Sequence, residues 1–150
     1  MNTTKKPGGT RAFMLWIQRM MNARTNVRIR RGMSRSMGMD LLILHTTGRR
    51  SGQPRESPLT WFAEGDARLV VASGGGSRNP DWFMNLTAHP DAVAVEMPGD
   101  GGPVPVTAQV LDDTERERAW QHITTMQPRY AKYQGRSERK YPVVRLSPCP

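Results

Sequence analysis

A ten-residue stretch with three arginines and two glycines is the part of this chain best suited to bind an anion. It reads TTGRRSGQPR from Thr46 to Arg55 and follows the apolar run Leu41–Leu44, with His45 between them. A strand that ends in such a turn exposes backbone N–H groups beside fixed positive charge. Guanidinium groups pair bidentately with phosphate or carboxylate oxygens. The stretch therefore predicts an anion site, although a surface hairpin with solvated arginines has the same pattern.

A second cluster combines a glycine run with the start of a helix. It reads VASGGGSRNPDWFMNL over residues 71–86. Glycines at a strand end let a planar ligand or a phosphate approach the backbone closely, because no Cβ intervenes. The helix that Asp81 begins could add the positive end of its dipole. Trp82 and Phe83 also suit the buried face of an amphipathic helix, so the cluster alone does not decide between binding and packing.

Two tyrosines in the segment MQPRYAKYQ form the third cluster. Tyr130 and Tyr133 are three residues apart and share one face if the segment is helical. Their phenols could donate hydrogen bonds to a substrate oxygen on which charge develops. Packed tyrosines with exposed hydroxyls are the alternative.

Several kinds of self-sufficient active site are excluded by the sequence. It has no Gly-x-Ser-x-Gly elbow, no phosphate-binding P-loop and no Gly-x-Gly-x-x-Gly opening a long helix. The single cysteine, Cys149, and three dispersed histidines give no metal-ligand spacing. We therefore expect no metal, and an enzyme with these residues would need an organic cofactor to carry its chemistry.

Hydrophobic periodicity and turn residues place these clusters on short strands. A helix is predicted from Thr10 to Met21 and an irregular linker over residues 24–37. The pattern then predicts strands at 41–46, 56–62, 68–73, 92–97, 104–111 and 143–146, and helices at 81–88 and from Asp113 or Thr114 to Met126. About six mostly antiparallel strands with flanking helices indicate an α+β fold, a small and partly closed β-barrel. We expect a basic leader and amphipathic helix at 1–37 and the barrel at 38–150.

Positive charge is concentrated at the N-terminal end of the chain. Residues 1–50 hold eleven of the 22 Lys and Arg residues but only one of the 13 acids. This excess favours an anionic partner near that end, which is nucleic acid, a membrane surface or a polyanionic ligand. Because aromatic and basic residues do not interleave on the strands, we expect no nucleic acid and prefer membrane-surface contact through the Thr10–Met21 helix. A cytoplasmic protein, peripheral to the inner face of the membrane, is expected; the oligomeric state is left open.

Together the three clusters resemble the deazaflavin-dependent nitroreductases of actinobacteria, which are small split β-barrels related to FMN-binding barrels and use coenzyme F420. The resemblance runs from Leu41 to Leu146 in four blocks. They are residues 46–55, Pro58-Leu59, the stretch from Ala72 to Leu86, and the stretch from Thr125 to Gln134.

The resemblance implies an F420 site between barrel and helix. Its phosphate and glutamate tail would lie along Arg49, Arg50, Ser51, Arg55, Glu56 and Ser57, and its deazaflavin ring along Val71, Ala72, Ser73, Gly74 and Tyr130. The site would be closed by Asp81, Trp82, Phe83, Met84 and Asn85. Ser73, Tyr130 and Tyr133 would be the catalytic residues, which hydrogen-bond the hydride acceptor.

The implied activity is hydride transfer from reduced F420 to a quinone, an enone or a nitroaromatic compound. An FMN-binding barrel is the alternative enzyme, although one phosphate does not need three arginines; a non-catalytic barrel that binds nucleic acid or membranes is the other alternative. The chain departs from the nitroreductase pattern at three places that bear on the acceptor. Gln127 replaces a tyrosine, Gly74 a common lysine, and Thr60-Trp61 a tyrosine-containing pair.

Overall fold

The computed structural model describes residues 22–32, 35–36, 39–74 and 78–150. In this part of the chain the strands are β1 (Arg35–Ser36), β2 (Met39–Thr47), β3 (Pro54–Thr60), β4 (Phe62–Glu64), β5 (Ala67–Val71), β6 (Ala94–Glu96), β7 (Val104–Val110) and β8 (Val143–Pro148). The helices are α1 (residues 22–30), α2 (Asp81–Ala88), α3 (Asp113–Met126) and α4 (Arg129–Gly135). None of the helices in these ranges is long and apolar enough to cross a membrane.

The strands form one antiparallel sheet in the order β1-β2-β6-β7-β8-β5-β4, and β3 pairs with β2. The β2–β3 hairpin is in register from Leu41 opposite Thr60 to Thr47 opposite Pro54. The arginine-rich stretch therefore spans the closed end of this hairpin, and residues 48–53 form its loop. This arrangement, curled around an apolar interior and flanked by helices, confirms the predicted α+β split barrel.

Alternating side chains of β2 pack against different partners on the two faces of the sheet. Leu42 and Leu44 point into the barrel interior, where they belong to a buried cluster with Trp82 and Phe83 of α2. Ile43 points outward and packs with Ile29 of α1. This period of two is what a strand buried on both faces requires.

A second buried cluster lies between the outer face of β5 and helices α3 and α4. Leu69 and Val71 of β5 pack there, whereas Val70 between them faces the barrel interior. The ring of Tyr130 from α4 meets Phe62 edge-on, with ring centroids 5.5 Å apart. Packing against β5 thus fixes α4 next to the strand end that carries the glycine run.

Helix α1 is held on the barrel by a polar cluster as well as by Ile29. Arg30 Nε donates to Glu96 Oε2 at 2.8 Å, and Arg30 Nη2 donates to Glu56 Oε1 at 2.7 Å. His45 Nε2 lies 3.0 Å from Glu96 Oε1. The hydrogen bonds from Arg30, and then from His45, hold the pKa of Glu96 below its ordinary value against the opposing effect of burial.

Most predicted elements are confirmed, and the differences have physical causes. Helix α2 has its predicted bounds, and α3 ends at Met126 as predicted, with Asp112 as N-cap because its Oδ1 accepts from Glu115 N–H at 2.8 Å. The strand predicted at 56–62 is divided into β3 and β4 at Trp61, whose N–H donates to Asp40 O at 3.1 Å.

The linker predicted at 24–37 is wrong for its first part. Residues 22–30 are helical, because Arg30 and Ile29 bind this segment to distant strands. Helix α4 also falls in a segment for which the sequence gives no period. The predicted Thr10–Met21 helix lies outside the described residues, and the division of the chain at residue 37 stays a prediction.

Candidate functional site

The arginine-rich hairpin loop is a tight turn that depends on its two glycines. Gly48 N–H donates to Gln53 O at 2.8 Å, and Gly52 N–H donates to Gly48 O at 2.9 Å. Gly52 has a φ of +69°, in the left-handed region that glycine enters without strain. A Cβ on Gly48 would lie 2.5 Å from Ser51 Oγ, so a side chain there would displace the serine hydroxyl.

Asn85 of α2 fixes this loop to the body of the protein. Its Oδ1 accepts from Arg49 N–H at 3.1 Å and from Arg49 Nη1 at 3.2 Å, and the side chain is buried. The exposed carboxylate of Asp81 also lies 3.4 Å from Arg49 Nη1. The structure thus brings together three predicted site residues, but the charge of Arg49 is already shared with a protein carboxylate.

Arg50 and Arg55 supply the remaining positive charge of the loop. Neither makes an ion pair with a carboxylate of the described residues, and Arg55 Nη2 donates to Ser51 Oγ at 3.5 Å. Thr46 is the register partner of Arg55 and therefore lies on the same face; its Oγ1 is buried and has no hydrogen-bond partner among the described residues. These donors suit a polyanionic ligand. They are the guanidinium groups of Arg50 and Arg55 and the hydroxyl groups of Ser51 and Thr46.

A cleft of about 840 Å³ lies where the end of β5 meets helix α4 and the connection to β8. Ser73 and Gly74 form one wall, and Tyr133 lies on the other. Tyr133 is 38% exposed and its ring packs edge-on against Tyr130, with centroids 5.7 Å apart. The full lining is Ser73, Gly74, Tyr133, Arg136, Ser137, Glu138, Arg139 and Tyr141. The structure therefore places three of the predicted site residues, Ser73, Gly74 and Tyr133, in the lining of one cleft.

The start of α2 connects the arginine loop with the cleft. Asn79, which precedes the helix, accepts a hydrogen bond from Arg139 Nη1 at 2.7 Å on the cleft side. Asp81 and Asn85 contact Arg49 on the loop side. Because Asn79 and Asp81 are two residues apart, a ligand of extended shape could contact both the cleft and the loop.

Tyr130 is placed differently from Tyr133, although both were predicted to contact the acceptor. It is buried in the cluster with Phe62. Burial raises the pKa of Tyr130, so this phenol stays protonated and can act as a donor but not as a base at neutral pH. It supports the ring of Tyr133 from behind and does not line the cleft.

Other predicted coenzyme contacts have protein partners in the structure. The Glu56 side chain pairs with Arg30 of α1, on the face of β3 opposite Arg55 and Ser57. The side chains of Trp82 and Phe83 lie in the barrel core, and those of Val71 and Ala72 are also buried. Met84 is exposed on α2. For Glu56 and the four buried side chains the structure gives packing or ion-pair roles, and coenzyme contact stays a prediction.

Arg139 and Gln134 are site residues that the sequence analysis did not identify. Gln134 Oε1 accepts from Tyr141 N–H at 2.9 Å, and its Nε2 donates to Arg139 O at 2.8 Å. Tyr141 Oη donates to Tyr133 O at 3.0 Å. Gln134 does belong to the block that carries the family resemblance, but Arg139 lies in a charged stretch without period, where no sequence signal marks it.

A buried arginine anchors this network to α3. Arg116 Nε donates to Tyr141 O at 2.7 Å, and the guanidinium stacks on Trp120 at 4.8 Å from the ring centroid. Desolvation lowers the pKa of Arg116, but the group stays charged far above neutral pH. The segment that forms the far wall of the cleft is therefore tied to α3 and α4 together.

Comparison with known proteins identifies the family. The model of the F420H(2)-dependent quinone reductase family matches residues 15–148. The chain is 43% identical over 110 residues to an F420H(2)-dependent quinone reductase of Mycobacterium tuberculosis (strain ATCC 25618 / H37Rv), covering 71% of this chain and 72% of that protein.

Solved structures agree with this match. An F420-H2 dependent reductase (FDR-A) superposes with a TM-score of 0.61 at 34% identity, over 71% of this chain and 93% of that chain. HutZ, a heme storage protein from Vibrio cholerae, shares the fold alone, with a TM-score of 0.53 at 17% identity over 86% of this chain and 91% of that chain. The chain belongs to the F420H(2)-dependent quinone reductase family, a family of oxidoreductases whose coenzyme is F420.

Proposed function

We propose that this chain reduces a quinone at the expense of reduced F420, with the cleft between Ser73, Gly74 and Tyr133 as the place of reaction. The observation that carries the proposal is the continuity of this cleft, through the start of α2, with a loop that presents Arg50 and Arg55, neither of which pairs with a carboxylate of the described residues. An anionic tail on the loop and a planar ring at the cleft would use both surfaces at once.

Arg50, Arg55 and Ser51 would hold the phosphate and glutamate tail of the coenzyme. Their donor chemistry fits, because guanidinium groups keep their charge at physiological pH and match oxyanions bidentately. Arg49 would contribute less positive charge to this site, because its guanidinium group already contacts the carboxylate of Asp81 and the side-chain oxygen of Asn85. When bound, the coenzyme supplies a hydride, the chemistry that none of this chain's own side chains can provide.

Ser73 and Tyr133 would hydrogen-bond the oxygen of the acceptor. A quinone that takes up a hydride gains negative charge on a carbonyl oxygen, and a proton then completes the hydroquinone. Donors already aimed at that oxygen lower the barrier without reorganisation. The cleft walls hold the acceptor in place, and Tyr130 behind Tyr133 keeps the phenol ring from turning away.

Titration of the purified protein with F420 and with FMN, at two salt concentrations, tests the coenzyme assignment. We expect tighter binding of F420 than of FMN, and weaker F420 binding at higher salt because the loop contacts are electrostatic. Arg55→Ala should lose about ten- to a hundredfold in affinity, the value of a charge-assisted hydrogen bond. Arg118→Ala, an exposed arginine on α3, is the matched control. Equal loss in both variants would remove Arg55 from the site.

Single-turnover oxidation of bound, reduced F420 then tests the acceptor. Menadione, cyclohexenone and a nitroaromatic compound represent the three acceptor classes. We expect the quinone to react fastest. We expect the nitroaromatic compound to react most slowly, because Gln127 replaces a tyrosine of the nitroreductase pattern. Binding of FMN in preference to F420 would support the alternative barrel enzyme, and binding of neither would leave a non-catalytic barrel.

Membrane-surface contact is a second proposal, for which helix α1 gives one observation. Arg24, Arg28 and Val27 are exposed on α1, while Ile29 and Arg30 bind it to the barrel. A cationic surface of this kind is attracted to anionic lipids, and we propose a place at the inner face of the cell membrane. Sedimentation with vesicles of anionic and of neutral lipid tests this; equal recovery with both would contradict it.

A further inference from the structure

The guanidinium group of Arg139 contacts three consecutive main-chain carbonyl groups at the cleft. Its Nη1 donates to Ala72 O at 2.9 Å, and its Nη2 lies 3.4 Å from Ser73 O and 3.1 Å from Gly74 O. The same Nη1 donates to Asn79 Oδ1 at 2.7 Å. One guanidinium thus binds both sides of the loop that connects β5 to α2.

The direction of these carbonyl groups fixes the direction of two N–H groups. No described peptide bond is cis, and in a planar trans peptide the C=O of one residue points opposite to the N–H of the next. Because Ala72 O and Ser73 O point to Arg139, the N–H groups of Ser73 and Gly74 point away from it. Within the described residues neither of these N–H groups has an acceptor.

The guanidinium that creates this arrangement is itself held from several sides. Arg139 O accepts from Gln134 Nε2 at 2.8 Å and from Ser137 Oγ at 3.1 Å, and Arg139 N–H donates to Ser137 Oγ at 3.2 Å. The guanidinium also lies over the ring of Tyr141, 4.9 Å from its centroid. A side chain so restrained can fix the main chain at Ser73 and Gly74 in one conformation.

We propose that Arg139 is a positioning residue that turns the N–H groups of Ser73 and Gly74 outward as a pair of donors for a carbonyl oxygen of the bound coenzyme ring. This rests on the proposed function, because it assumes that the coenzyme ring lies along this strand end. A lysine cannot replace the arginine, since one ammonium group cannot span the four acceptors that the guanidinium fork reaches.

Arg139→Lys tests the proposal, with Arg118→Lys on α3 as the control that makes the same substitution at an exposed site. In the ligand-free protein, hydrogen exchange of the Ala72 N–H, which donates to Pro142 O at 2.9 Å, should be faster in Arg139→Lys, while exchange of β7 stays unchanged. Affinity for F420 should fall by about tenfold or more. The KM for menadione, measured at saturating coenzyme, should change less than the coenzyme affinity.

The outcomes separate this inference from the proposed function. Failure of the wild-type protein to bind F420 would overturn the proposed function and the coenzyme part of this inference, whereas normal exchange in Arg139→Lys would overturn the positioning role alone. Exchange and F420 affinity equal to those of Arg118→Lys would overturn the proposal outright. If Arg139→Lys does not fold, Asn79→Ala removes one of the four acceptors and should give smaller changes in the same directions; no change in either measurement would overturn it.

Discussion

Arg49 and Asn85 are joined by two hydrogen bonds to a single oxygen. Asn85 Oδ1 accepts from the main-chain N–H of Arg49 at 3.1 Å and from its Nη1 at 3.2 Å. Asn85 is only 5% exposed. The position of the anion-binding loop is thus set by a buried carboxamide on a helix whose other face belongs to the barrel core, and not by the loop alone.

Replacement of Asn85 should cost both stability and coenzyme affinity. In Asn85→Ala the N–H of Arg49 loses its part-buried hydrogen bond to Asn85 Oδ1, so we expect destabilisation of about 0.5–1.5 kcal/mol. The loop is then less well positioned, and F420 binding should weaken. Urea unfolding and F420 titration measure the two effects. Thr87→Ala on the exposed side of the same helix is the control; an equal loss there would contradict the anchoring role of Asn85.

Gly48 and Ser51 should behave as a coupled pair. An alanine at position 48 would place its Cβ 2.5 Å from Ser51 Oγ and turn that hydroxyl away from Gln53 N–H, to which it is bonded at 3.2 Å. We expect Gly48→Ala to destabilise the protein by about 0.5–1.5 kcal/mol, the net value of that hydrogen bond. In a Ser51→Ala background the same change should cost much less. Additive losses in a double-mutant cycle of unfolding free energies would contradict the steric explanation.

The elements that the sequence predicted well are those whose signals are local. Helix α2 follows Asn79-Pro80, as predicted. Helix α3 lies where a helix was predicted from Asp113 or Thr114, although its N-cap is Asp112, which the sequence analysis did not identify. The arginine loop was predicted because its residues and their order are sufficient to define a hairpin turn.

The features that the sequence analysis missed depend on contacts between distant residues. Residues 22–30 of helix α1 include six polar or charged residues and one buried apolar residue, Ile29, and the helix is stabilised by Arg30 binding Glu96, 66 residues away. Arg139 reaches Ala72, 67 residues away, from a stretch without periodicity. Glu56 lies beside Arg55 in sequence, yet strand alternation sends it to the opposite face and to Arg30.

Tyr133 and Tyr130 should differ when each loses its hydroxyl. Tyr133→Phe removes a phenol from the cleft, so turnover with menadione should fall while F420 affinity stays near that of the wild type. Tyr130→Phe alters a buried residue that does not line the cleft, so its main effect should be on stability and not on turnover. Steady-state kinetics together with thermal unfolding distinguish the two. A larger loss of turnover in Tyr130→Phe would exchange the roles assigned to these tyrosines.

The stability of the protein should fall in acid, because protonation of Glu96 weakens its hydrogen bond with Arg30 of α1. Its pKa in the folded protein is held below the ordinary value of 4.5, first by the hydrogen bond from Arg30. The unfolded chain then binds this proton more readily than the folded one, so the contribution is complete above the ordinary pKa and is lost as the pH falls through the lowered value. His45 and Glu56 belong to the same polar cluster.

Urea unfolding between neutral pH and pH values well below 4.5 measures this contribution. Glu96→Gln should be less stable than the wild type at neutral pH, because Arg30 loses its better partner, and the two stabilities should converge as the pH falls. Glu117→Gln, at an exposed position on α3, should leave the difference between neutral and acid stability close to that of the wild type. A gap between Glu96→Gln and wild type that stays constant with pH would show that Glu96 acts by packing and not through its charge.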